Sequence, residues 1–207
     1  MLIDKTLLEY IDLTSQKRPA PGGGSVLALV SSLGLALSQM AMNFSLDKED
    51  FLGLDPASQE EIRQDLEELG RLRQGLEELI DLDSQAFNGV LRAYKLDRED
   101  PARPGAIEEG YKEALAVPLK CLNYSLRSLE LELSLAGHAN KGLISDTAIG
   151  AILSYTALEA SIYNIKINLK GIGSESYKKQ LEAEVTRALE RARDYKERIL
   201  DLAEEKI

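Results

Sequence analysis

Apolar positions recur every three to four residues along most of the chain, the period of a helix with one buried face. The rhythm is plainest in Ile62, Leu66, Leu69, Arg73, Leu76, Ile80, Asp83, Phe87, Val90 and Tyr94. It returns in Leu181, Val185, Ala188, Ala192, Tyr195 and Ile199. Such 4–3 spacing is the seam of a helical bundle. Alternation at period two is absent, and good helix formers dominate. Six helices are predicted: about Asp4–Gln16 with apolar Leu7, Leu8 and Ile11, Gly24–Leu46, Pro56–Lys95, Ala106–His138, Ser145–Lys170 and Glu175–Glu205. Asp55 reads as an N-cap with Pro56 at the first helical position. Pro101, Pro104 and Gly105 break the chain before the fourth helix, and Gly171 and Gly173 stop the fifth. Pro118 lies inside the fourth and is expected to kink it. The expectation is an all-α bundle of about six long helices, one domain over residues 1–207.

The second helix stands apart. From Pro19 to Leu46 no side chain is charged, in a protein that is 29% charged. It opens on Pro21-Gly22-Gly23-Gly24-Ser25, where three glycines let the backbone come close to another group and the helix start offers free N–H groups. Gly24, Ala28, Ser32 and Ala36 put small residues on one face. The run is long enough to cross a membrane. However, Ser25, Ser31, Ser32, Ser38, Gln39, Asn43 and Ser45 spread polar groups around it, so a central helix wrapped by others is expected and no membrane contact.

Charge and composition remove several classes. A net charge of −10 argues against non-specific nucleic-acid binding. A single cysteine, Cys121, allows no internal disulfide and points to a reducing, cytoplasmic compartment. With one cysteine and one histidine, His138, no His/Cys metal site can be built and no metal is expected. The glycine run lacks the lysine and preceding strand of a P-loop. The N-terminal MLIDKTLLEYIDL lacks the continuous apolar core of a signal peptide.

Candidate chemistry falls at three places. Asp83 is a charge at a seam position; it is either paired inside or faces a groove, and a buried carboxyl can exchange protons near neutral pH. The corner His138-Ala139-Asn140-Lys141-Gly142-Leu143-Ile144-Ser145-Asp146 holds polar groups that could cap two helices or line a pocket. Asn164 and Asn168, four apart, share a helix face and need partners if buried, while Lys166 and Lys170 form a second stripe that could hold an anion.

Several segments, in this order, resemble the cyclodeaminase/cyclohydrolase family of folate enzymes. They are Pro21-Gly22-Gly23-Gly24-Ser25, Asp83-Ser84-Gln85-Ala86-Phe87, Ala93-Tyr94-Lys95-Leu96, Val117-Pro118-Leu119, Asn140 with Ser145-Asp146, and Asn164-Ile165-Lys166-Ile167-Asn168-Leu169. The resemblance implies an all-helical homodimer with a folate pocket, a tetrahydrofolate derivative as substrate and no permanently bound cofactor. It implies foremost a 5-formiminotetrahydrofolate cyclodeaminase, which closes the 5,10-methenyl ring and releases ammonia. The alternative is a 5,10-methenyltetrahydrofolate cyclohydrolase. The implied catalytic groups are Asp83 and Asp146. Gly22, Gly23, Gly24, Ser25, Asn140 and Asn164 would orient the pterin, and Lys141 or Lys166 would meet the glutamate tail. Family members resemble Gly-Asn-x-Asn where this chain has Ala139-Asn140-Lys141-Gly142. That departure keeps a non-catalytic folate- or protein-binding helical dimer as a further alternative. No formiminotransferase domain accompanies these segments, so the expectation is a stand-alone enzyme.

Overall fold

Seven α-helices and no strand make up the computed structural model, which describes residues 1–207. They are α1 (Leu7–Ser15), α2 (Gly23–Asn43), α3 (Glu49–Leu52), α4 (Pro56–Tyr94), α5 (Arg103–Ala136), α6 (Ile144–Leu169) and α7 (Glu175–Lys206). A 3-10 turn at Lys141–Leu143 leads into α6. The all-α expectation holds, with one helix more than predicted. The extra one, α3, has four residues, too few to display a period, and is held by buried Phe51.

Local chemistry explains the boundaries. The Asp55 carboxylate accepts from the N–H groups of Ala57 at 3.0 Å and Ser58 at 3.1 Å, and Pro56 follows as predicted. The helix α5 starts at Arg103 rather than Ala106, because Pro104 stands in the first turn, where no N–H is required. Pro118 lies inside α5, which continues to Ala136. Its C-terminal carbonyls are met by Lys206: Nζ donates to Ala136 at 2.9 Å and Gly137 at 2.8 Å. His138 stays exposed beside them.

α2 packs against α4 and α6, and α5 packs against the same two helices, closing a four-helix ring; α7 lies along α5 and α6. One apolar cluster joins α2, α4 and α5 around Leu35, Leu69, Leu76 and Ile80. A second joins α5, α6 and α7 around Leu129, Leu158, Ala192 and Ile199. Gly24, Ala28 and Ser32 are buried, as the small-residue stripe predicts, with Gly24 meeting Asp83 of α4. The tightest crossing lies elsewhere, between α2 and α6. A Cβ on Gly34 would stand 2.8 Å from the Gly150 carbonyl oxygen, and one on Gly150 would stand 2.8 Å from that of Gly34. α1 also departs from expectation. Leu7, Leu8 and Ile11 are 70%, 76% and 60% exposed, and Tyr10 is its buried residue.

Polar groups line the interior where α2, α5 and α6 converge. Ser31 Oγ and Ser125 Oγ are 2.9 Å apart. Ser38 donates to Glu132 Oε1 at 2.7 Å and Ser154 donates to it at 3.4 Å, while Oε2 has no partner. Burial pushes the Glu132 carboxyl up from its ordinary 4.5 to about 7, against the two serine hydroxyls. No charged group of any packed helix contributes.

Glu132 therefore makes stability depend on pH. Below about 4.5 the carboxyl is protonated in both folded and unfolded chains. Between about 4.5 and 7 the unfolded chain ionises while the folded one keeps its proton, so stability falls as pH rises. The full loss is roughly 3 kcal/mol at 1.36 kcal/mol per unit. Denaturant titrations at pH 4.5 and 7.5 should show this fall in the wild-type protein and a flattened one in Glu132→Gln.

Candidate functional site

The N-terminus of α2 has no side-chain cap. Gly22 is its N-cap residue, and the N–H groups of Gly23, Gly24 and Ser25 precede the first intrahelical partners. What faces this end is Asp83 of α4. The seam of α4 is core-filling at Leu69, Leu76 and Ile80. Beyond Ile80 the same register continues past the apolar cluster, so Asp83, Phe87 and Val90 become the wall of a cavity. The cavity holds about 270 Å³ and is closed by Pro19 and Gly22–Gly24 on one side and Tyr111, Ala114, Asn164, Ile167 and Asn168 on the other.

Asp83 reaches this place only because position 24 lacks a side chain. A Cβ on Gly24 would lie 2.1 Å from Asp83 Oδ1, and one on Gly22 would lie 3.7 Å from Oδ2. Burial pushes the Asp83 carboxyl above the usual carboxylate range, and the Ser25 backbone N–H acts in the opposite direction. No cation pairs with it, and it is the one acidic side chain lining the cavity. A carboxyl so placed can hold and release a proton closer to neutrality than an exposed aspartate.

The far wall depends on Pro118. Proline has no N–H, so the Ala114 carbonyl loses its partner four residues on. Asn168 replaces it, donating Nδ2 to that oxygen at 3.1 Å. Asn164, one turn earlier, keeps its amide nearest Gly23, where a Cβ would lie 3.5 Å from Oδ1. Its Nδ2 is buried without a partner. Tyr111 enters beside it over Gly171, where any Cβ would overlap the ring. Sequence reasoning did not single out Tyr111, and it named Phe87 only as a seam position and as part of the Asp83 segment, without a place in the site. The signal was available, since Tyr111 and Ala114 precede Pro118 by seven and four residues and share its face.

The predicted site residues divide between the cavity and places away from it. Asp83, Gly22, Gly23, Gly24 and Asn164 meet at the cavity. Ser25 is adjacent, but its hydroxyl is fully buried and lies 2.8 Å from Tyr10 Oη, so only its N–H faces the site. Lys166 is on another face of α6, in a groove against Glu182 and Leu189 of α7, because two residues rotate a helix by about 200°. Asn140, Lys141 and Asp146 sit at the other end of α6. Asn140 caps its own turn, accepting from Gly142 N–H at 2.9 Å, and its N–H donates to Ser45 Oγ, just past the end of α2, at 2.8 Å. About twenty helical residues, or about 30 Å, separate that corner from the cavity within one chain. No group of three His, Cys, Asp or Glu side chains is placed to hold a metal ion.

A family model described as formiminotransferase-cyclodeaminase matches residues 6–187. The chain is 28% identical to a methenyltetrahydrofolate cyclohydrolase of Methylorubrum extorquens, over 99% of this chain and 98% of that protein. It is 33% identical to a formimidoyltransferase-cyclodeaminase of Gallus gallus, matching 99% of itself but spanning only 38% of that longer relative. The crystal structure of a formiminotetrahydrofolate cyclodeaminase from Thermotoga maritima superposes with a TM-score of 0.88 at 27% identity, covering 99% of this chain and 98% of that one. The chain, with its glycine-flanked Asp83 cavity, belongs to the formiminotransferase-cyclodeaminase family.

Proposed function

We propose that the protein is a 5-formiminotetrahydrofolate cyclodeaminase. The observation that carries this is Asp83, a carboxyl raised by burial at the inner end of the cavity. N10 of the substrate attacks the formimino carbon on N5, whose imino nitrogen enters protonated as a cationic amidinium, giving a carbon bonded to N5, N10 and the amino group. The N10 proton must then reach the departing nitrogen. Asp83 takes it from N10 and returns it to the amino group, the C–N bond breaks, ammonia leaves, and the methenyl cation remains on N5 and N10. A carboxylate beside that cation also stabilises it. The buried Asn164 amide offers a donor to the pterin's acceptors. The cyclohydrolase reading is favoured by the near full-length similarity to the Methylorubrum extorquens enzyme. Supplying each substrate and following the methenyl absorbance separates the two.

We infer a homodimer built on α2 and α6. Leu33 of α2 and Ile149, Ile152, Tyr163 and Ile167 of α6 are exposed apolar residues spread along the two helices. A depression lined by Val26, Leu27, Ala160 and Tyr163 joins both helices on that side and shares Gly22, Gly23 and Asn164 with the cavity. Exposed apolar side chains gathered on two adjoining helices mark a partner surface. A two-fold axis near Leu33, the middle of α2, sets the paired helices antiparallel. It brings the partner subunit's Asn140, the partner subunit's Lys141 and the partner subunit's Asp146 toward this chain's cavity.

Three outcomes are expected. Asp83→Asn should lower turnover at least a hundredfold while leaving the melting temperature unchanged or higher, because a desolvated charge is removed. Gly24→Ala should lose turnover by displacing Asp83, whereas Gly23→Ala should fold and keep measurable activity. Leu33→Asp should sediment as a monomer and lose turnover; a wild-type monomer with full activity would overturn the dimer.

A further inference from the structure

No cation lines the cavity, and Lys166 faces away from it. A folate nevertheless carries carboxylates at the end of its tail, and the protein's net charge of −10 repels them. The cavity wall leads to one cation. Tyr111 Oη lies 3.3 Å from Tyr94 Oη, and the two rings pack edge to face with centroids 6.4 Å apart. The guanidinium of Arg103, the first residue of α5, lies 5.7 Å from the Tyr94 ring centroid. Its Nε is buried without a hydrogen-bond partner, and no carboxylate lies within 4.0 Å of it. Arginine left unpaired on an aromatic face is suited to a planar carboxylate.

We propose that Arg103, with the hydroxyls of Tyr94 and Tyr111, binds the glutamate carboxylate of the substrate; this rests on the folate reading above. The α4 seam then orders the ligand along its length. Asp83 meets the one-carbon group, Phe87 and Val90 meet the benzoyl ring, and Tyr94 with Arg103 meets the tail. Eleven residues separate Asp83 from Tyr94, about 16 Å along a helix. That is the scale of the distance from a reduced pterin to the carboxylates of its extended tail. The early start of α5 is what sets Arg103 here: beginning at Ala106, as the breakers Pro104 and Gly105 imply, the helix would leave Arg103 in a loop.

The test compares 5-formiminotetrahydrofolate with 5-formiminotetrahydropteroate, which lacks the glutamate, and the corresponding pair of methenyl compounds. Wild-type kcat/KM should favour the glutamate-bearing substrate by about tenfold to a hundredfold, the size of one charge-assisted contact, and mainly through KM. In Arg103→Gln that ratio should fall to about one, and Arg103→Lys should restore part of it. A ratio unchanged in Arg103→Gln, or a wild-type enzyme that turns over both substrates equally, overturns the tail site and leaves the folate reading standing. No turnover of any of the four compounds by the wild type overturns the folate reading, and the tail site with it.

Discussion

The molecule depends on α2 coming closer to its neighbours than side chains permit. At Gly34 and Gly150 the α2 and α6 backbones touch without a Cβ between them. At Gly24 the Asp83 carboxyl takes the space that a methyl group would fill. Both contacts require the absence of a side chain at those particular positions, and close packing makes them intolerant of even one added carbon. A small residue gains little from burial itself, and most of the larger apolar side chains of the two clusters come from α4, α5, α6 and α7.

Much of this was legible from residue spacing. The seams of α4 and α7 recur where the 4–3 rhythm puts them, because a helix face repeats with a fixed angle whatever it packs against. Asp83 was visible as a charge in an apolar register, and the structure gives the reason: the register outlasts the apolar cluster by three turns and becomes a wall. What spacing did not reveal is what lies opposite. Glu132 sits at a position indistinguishable from other glutamates of α5 until Ser38 and Ser154 arrive from α2 and α6. Leu7, Leu8 and Ile11 form an apolar group in sequence, yet the ring is already closed by α2, α4, α5 and α6, and only Tyr10 enters.

The corner at Asn140 teaches a different lesson. Order along a chain says which segments accompany one another, not which meet inside one subunit. The corner and the glycine turn lie at opposite ends of the α2/α6 pair, and both are braced locally, by Ser45 at one end and Tyr10 at the other. Lys166 shows the same limit at short range, where two residues from Asn164 means the other side of the helix.

Pro118 carries a consequence for the order in which the chain is completed. It leaves the Ala114 carbonyl open until Asn168, 54 residues later, arrives to accept its role. The middle of α5 therefore cannot complete its hydrogen bonding from its own helix, and this carbonyl closes only when the end of α6 docks. That docking is the same event that assembles the cavity wall. A ligand held there would discriminate a finished bundle from one that has its helices but not their last junction.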